Sequence, residues 1–421
     1  MTRKSHTLDN GVTVLLNPNP NTEAIAVGYG VRVGARFETE KENGITHYLE
    51  HMAFKKDTPE ESLKVAQDIE GAGGRMNAYT SRDVTFYFAQ GLAEKFDTFN
   101  HHMSKIALDA VIPANELEIE RGNIIGEIGQ ALDDPEDILG DLVYATAYPD
   151  QPIGRTILGP KENISRFQRE DFMRFIKKHY HTGNVVVSLS GKMDEDYVLE
   201  AVKDATAHLD RGKRSKFKKA QYHSGIVHHE KDSDQLHLAL CFNGASLADG
   251  LDAKAETILG VIMGGGFSSR LFQEIREKRG LGYSISAQAA QAKDSGLFSI
   301  EAAINPEGAQ AFLEATVDEV KKILRDGVTE DEVARVKAML KTELALGAES
   351  SLASMRSMFH TYDAIDKLKS PADVLAEFDS ITAGDVKKAA ERAFSSEPVL
   401  ATIGPGLHMP KPKKLEKALK L

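Results

Sequence analysis

The chain has 421 residues, 41% hydrophobic and 27% charged, with a formal net charge of −11. That length exceeds what one hydrophobic core fills and implies about two to four domains. The acidic balance disfavours general nucleic-acid binding and suits cationic partners. Cys241 is the single cysteine, which excludes a disulfide framework and a cysteine zinc site and fits a reducing compartment. The opening residues 1–8 carry no apolar segment and no stretch is long enough to span a membrane, so the cytoplasm is the expected location.

In chain order, residues 6–16 read as two short strands about the turn Asp9-Asn10-Gly11. Residues 24–33 alternate around Ile25, Val27, Tyr29, Val31 and Val33 and predict a strand. Next, Gly44-Ile45-Thr46-His47-Tyr48-Leu49-Glu50-His51-Met52-Ala53-Phe54 reads as a short helix carrying His-x-x-Glu-His. At about 100° per residue, His47 and His51 lie about 40° apart on one face, with Glu50 about 60° to the other side of His47. Two imidazoles at this spacing can hold one zinc ion, and a neighbouring carboxylate can take a proton from water. The order is that of the inverted zincins. The bland alternative is two ordinary surface histidines one turn apart.

Residues 59–69 predict a helix ended by Gly71, Gly73 and Gly74. Residues 75–80 and 84–88 read as strands, and 92–108 as a helix. Pro113 opens a long helix bearing Glu116, Glu120 and Glu127. A further helix follows Pro135, residues 169–179 form another, and 185–190 a buried strand. The apolar period then lapses over residues 209–219, which are rich in Arg, Lys and Ser and read as a linker.

Beyond the linker, 236–242, 283–290 and 296–303 predict strands, and 252–263, 269–278, 306–324 and 330–346 helices. The halves resemble each other. The strand Val185-Val186-Val187-Ser188-Leu189 and the strand Val399-Leu400-Ala401-Thr402-Ile403 are offset by 214 residues. Asn115-Glu116-Leu117-Glu118-Ile119-Glu120-Arg121 and Thr329-Glu330-Asp331-Glu332-Val333-Ala334-Arg335 recur at the same offset. The expected architecture is α+β, a tandem repeat of two related α/β-sandwich domains over 1–208 and 226–421, joined by a linker at 209–225. The second half has no His-x-x-Glu-His, so a metal would belong to the first.

A catalytic zinc commonly has three protein ligands, and the long helix offers Glu120 and Glu127, seven residues apart on nearly one face. The inverted motif, followed after 75 residues by Glu127, resembles the pitrilysin/insulinase metallopeptidase family, in the style of its short-chain members similar to mitochondrial processing peptidases. The resemblance implies one zinc per chain on His47, His51 and Glu127. It implies Glu50 as general base and Glu120 as a supporting acidic residue. Gly74-Arg75-Met76-Asn77-Ala78-Tyr79-Thr80 is similar to the family's substrate-binding edge strand, which implies Asn77 and Ala78 as substrate-binding residues. The segment from Ser269 to Tyr283 resembles the family's arginine–tyrosine pair, here Arg276 and Tyr283, which implies contacts to the scissile carbonyl. One departure is Phe54-Lys55-Lys56-Asp57-Thr58, where the family often has Phe-Lys-Gly-Thr.

The resemblance further implies half of a clamshell. Together with both functional segments in one chain, it leads to the expectation of a zinc endopeptidase acting on peptides, basic ones given the net charge, inside a homodimeric chamber. No nucleic-acid or membrane partner is expected. The rival expectation is a non-catalytic core-type assembly subunit of the same fold.

Overall fold

The structure is a computed structural model, and it describes residues 3–406. The first half contains β1 (Lys4–Thr7), β2 (Thr13–Pro18), β3 (Ala24–Val31), α1 (Ile45–Ala53), α2 (Pro59–Gly71), β4 (Arg75–Thr80) and β5 (Thr85–Leu92). It continues through α3 (Phe96–Leu108), α4 (Ala114–Asp133), α5 (Pro135–Ala147), α6 (Lys161–Arg166), α7 (Arg169–His179), β6 (Val185–Gly191) and α8 (Glu195–Thr206). The second half contains β7 (Gly225–Glu230), β8 (Leu236–Gly244), α9 (Leu251–Gly264), β9 (Gly282–Gln291) and β10 (Gly296–Ile304). It ends with α10 (Ala309–Asp326), α11 (Glu330–Glu349), α12 (Ser351–Ile365), α13 (Pro371–Ser380), α14 (Ala383–Ala393) and β11 (Val399–Gly404).

Two compact units result. The first takes the chain up to Gly129, Arg155–Lys218 and Ala345–Pro371; the second takes Gln130–Gly154, Lys219–Leu344 and the chain from Ala372 on. These units are not the contiguous blocks 1–208 and 226–421. The helix after each long helix is exchanged: α5 belongs with the second unit and α12 with the first. Residues 407–421, the end of the expected second block, lie outside the described residues.

The first unit is built on a six-stranded sheet of order β1-β2-β6-β3-β5-β4. β2 and β6 are parallel, and the pairs β6–β3, β3–β5 and β5–β4 are antiparallel. Strand alternation sends Val14, Val27, Tyr29 and Val187 into a core with Phe99 and Met103 of α3 and Val198 and Val202 of α8. The opposite face, with Ala26, Phe86 and Val186, is covered by Met355, Met358 and Phe359 of α12. Gly28 and Gly30 of β3 lie directly beneath that helix, where an added Cβ would stand 2.5 Å from the Met355 sulfur and 2.0 Å from the Phe359 ring. The second unit has a five-stranded sheet of order β7-β11-β8-β10-β9. One face packs on α9, α10 and α14 through Leu240, Ile258, Phe298, Phe312 and Val386. The other is covered by Ile138, Leu139 and Val143 of α5.

Two predicted elements differ. Residues 92–95 are not α-helical: β5 keeps its pairing with β3 up to Ala24 opposite Leu92, and a 3-10 turn at Ala93–Lys95 precedes α3. The helix read over 269–278 winds as a π-helix at Phe272–Glu277, with Lys278 N–H donating to the Gln273 carbonyl five residues back. Residues 210–224 form neither helix nor strand, yet they are tied down. Ser215 N–H donates to Asn184 Oδ1 at 2.8 Å, and Phe217 lies 4.0 Å under the buried Arg36 guanidinium, both within the first unit. Ala220 N–H donates to Asp294 at 2.8 Å within the second. Among the described residues, no helix is long and apolar enough to cross a membrane.

Candidate metal centre

The site is built on α1, which is held at its N-terminus and along one face. Its N-cap is Gly44, at φ +98, where an added Cβ would stand 2.7 Å from the Leu158 carbonyl oxygen. The carboxylate of Glu38, almost fully buried, accepts from Gly44 N–H at 2.9 Å, Thr46 N–H at 2.8 Å and Asn43 Nδ2 at 3.0 Å. It thereby satisfies the first amides of the helix, which would otherwise be orphaned. Burial pushes the Glu38 carboxyl up to about 7, against these bonds, which favour its ionised form.

The other face of α1 packs on α4. Tyr48 is fully buried, its hydroxyl donates to the Leu117 carbonyl of α4, and its ring meets Phe172 edge-on at 5.0 Å. Ile124 and Ile128 turn α4 into the same core, and Arg121 is anchored by the Ile164 and Phe167 carbonyls. That orientation leaves Glu116, Glu120 and Glu127, at spacings of four and seven, on the side of α4 that meets α1.

Three predicted residues converge there. His47 Nε2 lies 3.7 Å and His51 Nε2 3.6 Å from Glu127 Oε2. Their ligand atoms all fall within 4.8 Å of one another. Tetrahedral zinc with bonds of about 2.0–2.2 Å places ligand atoms about 3.4 Å apart, so the donor set and its spacing fit the ion. Protonation is suited as well. Burial, followed by the neighbouring His51 charge, holds His47 down to about 4, so its imidazole is neutral at physiological pH. His51 is raised, chiefly by its hydrogen bond to Glu120. His51 Nδ1 lies 3.0 Å from Glu120 Oε2, which leaves Nε2 for the centre of the cluster. Glu120 is in turn held down to about 2, first by that hydrogen bond. Glu120 thus touches a histidine of the cluster and is not a member of it.

Glu50 stands on the same helix with its carboxyl raised, mainly by burial. Thr80 Oγ1, at the end of β4, donates to Glu50 Oε2 at 2.5 Å. β4 is the last strand of its sheet, with only β5 beside it among the described residues. Asn77 is exposed on this strand, its Oδ1 accepting from Ala78 N–H at 2.8 Å, and Ala78 is half-buried. Arg276 and Tyr283 belong to the second unit. The Arg276 guanidinium lies over the Phe272 ring at 4.9 Å, and Tyr283, 72% exposed, is the second residue of β9.

Sequence reasoning missed Glu38, Thr80 and Lys55. Lys55 Nζ lies 2.8 Å from Glu120 Oε1 and 3.4 Å from Glu116 Oε2. Its signal was present: a lysine one turn beyond His51, matched to carboxylates at four-residue spacing on α4. Glu38 gave none, because it reaches α1 through an irregular loop.

Comparison with known proteins gives the family of the chain. Residues 13–161 match the family "Insulinase (Peptidase family M16)", and 166–340 match "Peptidase M16 inactive domain". A protein of Rickettsia felis named "Uncharacterized zinc protease" is 33% identical over 398 residues, covering 94% of this chain and 96% of its own. An "Uncharacterized zinc protease" of Bacillus subtilis is 29% identical over 408 residues, covering 97% and 99%. The crystal structure of a protease from Helicobacter pylori shares the fold, with a TM-score of 0.88 at 24% identity over 96% of this chain and 99% of that one. By its extended identity to these relatives and its match across both halves, the chain belongs to the pitrilysin/insulinase peptidase family, M16.

Proposed function

We propose that the chain is a zinc-dependent endopeptidase whose single metal per chain is held by His47, His51 and Glu127. The observation that carries this reading is the convergence of those three side chains beside Glu50, a half-buried carboxyl aimed by Thr80. The zinc protease names of relatives matching nearly the whole chain support it.

Bound zinc would supply Lewis acidity, lowering the pKa of a coordinated water to about 7 and polarising the substrate carbonyl. The residues do the rest. An extended peptide pairs along the outer edge of β4, its main chain meeting Ala78 and the exposed Asn77. Glu50 accepts the proton of the attacking water and returns it to the leaving amine, and its raised carboxyl pKa suits both steps. Thr80 holds the accepting oxygen in place. Glu120 fixes the tautomer of His51.

Tyr283 and Arg276 donate hydrogen bonds to the carbonyl as negative charge builds. The partner is a second copy of the chain, the pair enclosing unfolded or basic peptides in the cytoplasm. The large exposure of Tyr283 supports its availability to substrate. The test is chelator-sensitive cleavage of an unstructured peptide by the wild type and by Glu50→Gln, with zinc content measured in both. Zinc-replete but inactive Glu50→Gln is the expected outcome, and full turnover in that variant would remove Glu50 from its role. Mixing Glu50→Gln with Tyr283→Phe chains should restore part of the activity if sites are shared between copies. The rival, a non-catalytic assembly subunit, predicts no cleavage by zinc-loaded wild type.

A further inference from the structure

We propose that Lys55 is a positioning residue for His51, acting through Glu120. The inference rests on the zinc reading above. Lys55 stands one turn beyond His51, just past the end of α1, and its ammonium meets Glu120 Oε1 at 2.8 Å and Glu116 Oε2 at 3.4 Å. The opposite oxygen of the same carboxylate, Glu120 Oε2, meets His51 Nδ1 at 3.0 Å. One carboxylate is therefore gripped at both ends, by a cation on Oε1 and by the imidazole on Oε2. Asn123 Nδ2 adds a second donor to Oε1 at 3.0 Å.

The charge balance gives Lys55 its weight. Glu116 and Glu120 lie four residues apart on one helix, with side chains only 8% and 6% exposed. Like charges at this spacing repel, and burial removes the water that would screen them. Lys55 is the cation that meets both. Without it, Glu120 faces Glu116 uncompensated, and the carboxylate turns away. That change releases Nδ1 of His51, and with it the ring orientation that directs Nε2 at Glu127. Among the described residues His47 has no equivalent support, its Nδ1 being buried without a hydrogen-bond partner there. The directional hold on the two imidazoles is thus concentrated on His51.

The test is the zinc dissociation constant of the full chain, measured by chelator competition, with thermal unfolding of the metal-free protein as the control. Losing a partner of this kind typically weakens metal affinity about 10- to 100-fold. Lys55→Met and Lys55→Gln should both show that loss, the second keeping a hydrogen-bonding end without the charge. Lys55→Arg should restore affinity to within a few-fold. Adding Glu116→Gln to Lys55→Met should recover part of the loss, because the remaining carboxylate no longer faces a like charge. A purely structural lysine would lower the unfolding temperature without rescue by Glu116→Gln. Wild-type chain that takes up no zinc would defeat the zinc reading itself. Tight zinc binding by wild type together with unchanged binding by Lys55→Met and Lys55→Gln would overturn the role of Lys55 alone.

Discussion

Strand for strand, β2-β6-β3-β5-β4 of the first unit is repeated by β7-β11-β8-β10-β9 of the second, with the same parallel pair followed by three antiparallel pairs. The first helix lying between the third and the edge strand differs completely in character. α1 reads Thr46-His47-Tyr48-Leu49-Glu50-His51-Met52, and α9 reads Thr257-Ile258-Leu259-Gly260-Val261-Ile262-Met263. Aligned on the shared Thr and Met, His47, Glu50 and His51 give way to Ile258, Val261 and Ile262. Ile258 and Ile262 are buried in the core of the second unit. α9 also lies against its edge strand, since a Cβ on Gly264 would be 2.1 Å from Ala287 N. The facing long helices differ in parallel: at the 214-residue offset, Glu120 and Glu127 of α4 become Ala334 and Lys341 of α11. One scaffold therefore serves either as packing or as a candidate centre. The choice needs both helices to change together, because imidazoles without facing carboxylates would be buried polar groups without partners.

Substitutions at paired positions break the comparison most sharply. His47→Ala should abolish zinc uptake and peptide cleavage. Ile258→Ala should cost about 2–5 kcal/mol of stability while leaving zinc per chain unchanged. Metal analysis beside denaturant unfolding reads both. Next in size, Glu50→Gln should lower kcat by about 10²–10⁴-fold with zinc retained, as loss of a general base does. Thr80→Val removes one hydrogen bond to that carboxylate, worth roughly 1 kcal/mol, and should slow turnover less than about tenfold, measured as kcat on one peptide.

The smallest effect concerns acid stability. Glu120 is held down to about 2, so its contribution is present above the ordinary carboxylate range near 4.5 and is lost as pH falls through about 2. Metal-free Glu120→Gln should therefore show a flatter stability profile between those values than the wild type, read by denaturant unfolding across pH.

Local signals made legible the half of this comparison that carries the candidate centre. His47, Glu50 and His51 lie within five residues on one helix, so their shared face follows from helical geometry alone. Helical spacing alone leaves Glu120 and Glu127 open, and the family resemblance implies Glu127; in the structure the packing of Tyr48 on α4 directs Glu127 at the histidines and Glu120 at the back of His51. The repeat was visible in β6 and β11 because both are fully buried apolar runs. The exchange of α5 and α12 between units was not visible, because each helix is amphipathic and its sequence does not say which sheet it covers. Lys55 and Thr80 were missed for a related reason: each acts through a residue distant in sequence.

The central claim is that His47, His51 and Glu127 together hold one zinc ion. Zinc content per chain after exhaustive dialysis, in wild type and Glu127→Gln, tests it most directly. The account predicts one zinc in the wild type and a large loss in the variant. Equal zinc in both, or none in the wild type, would contradict it.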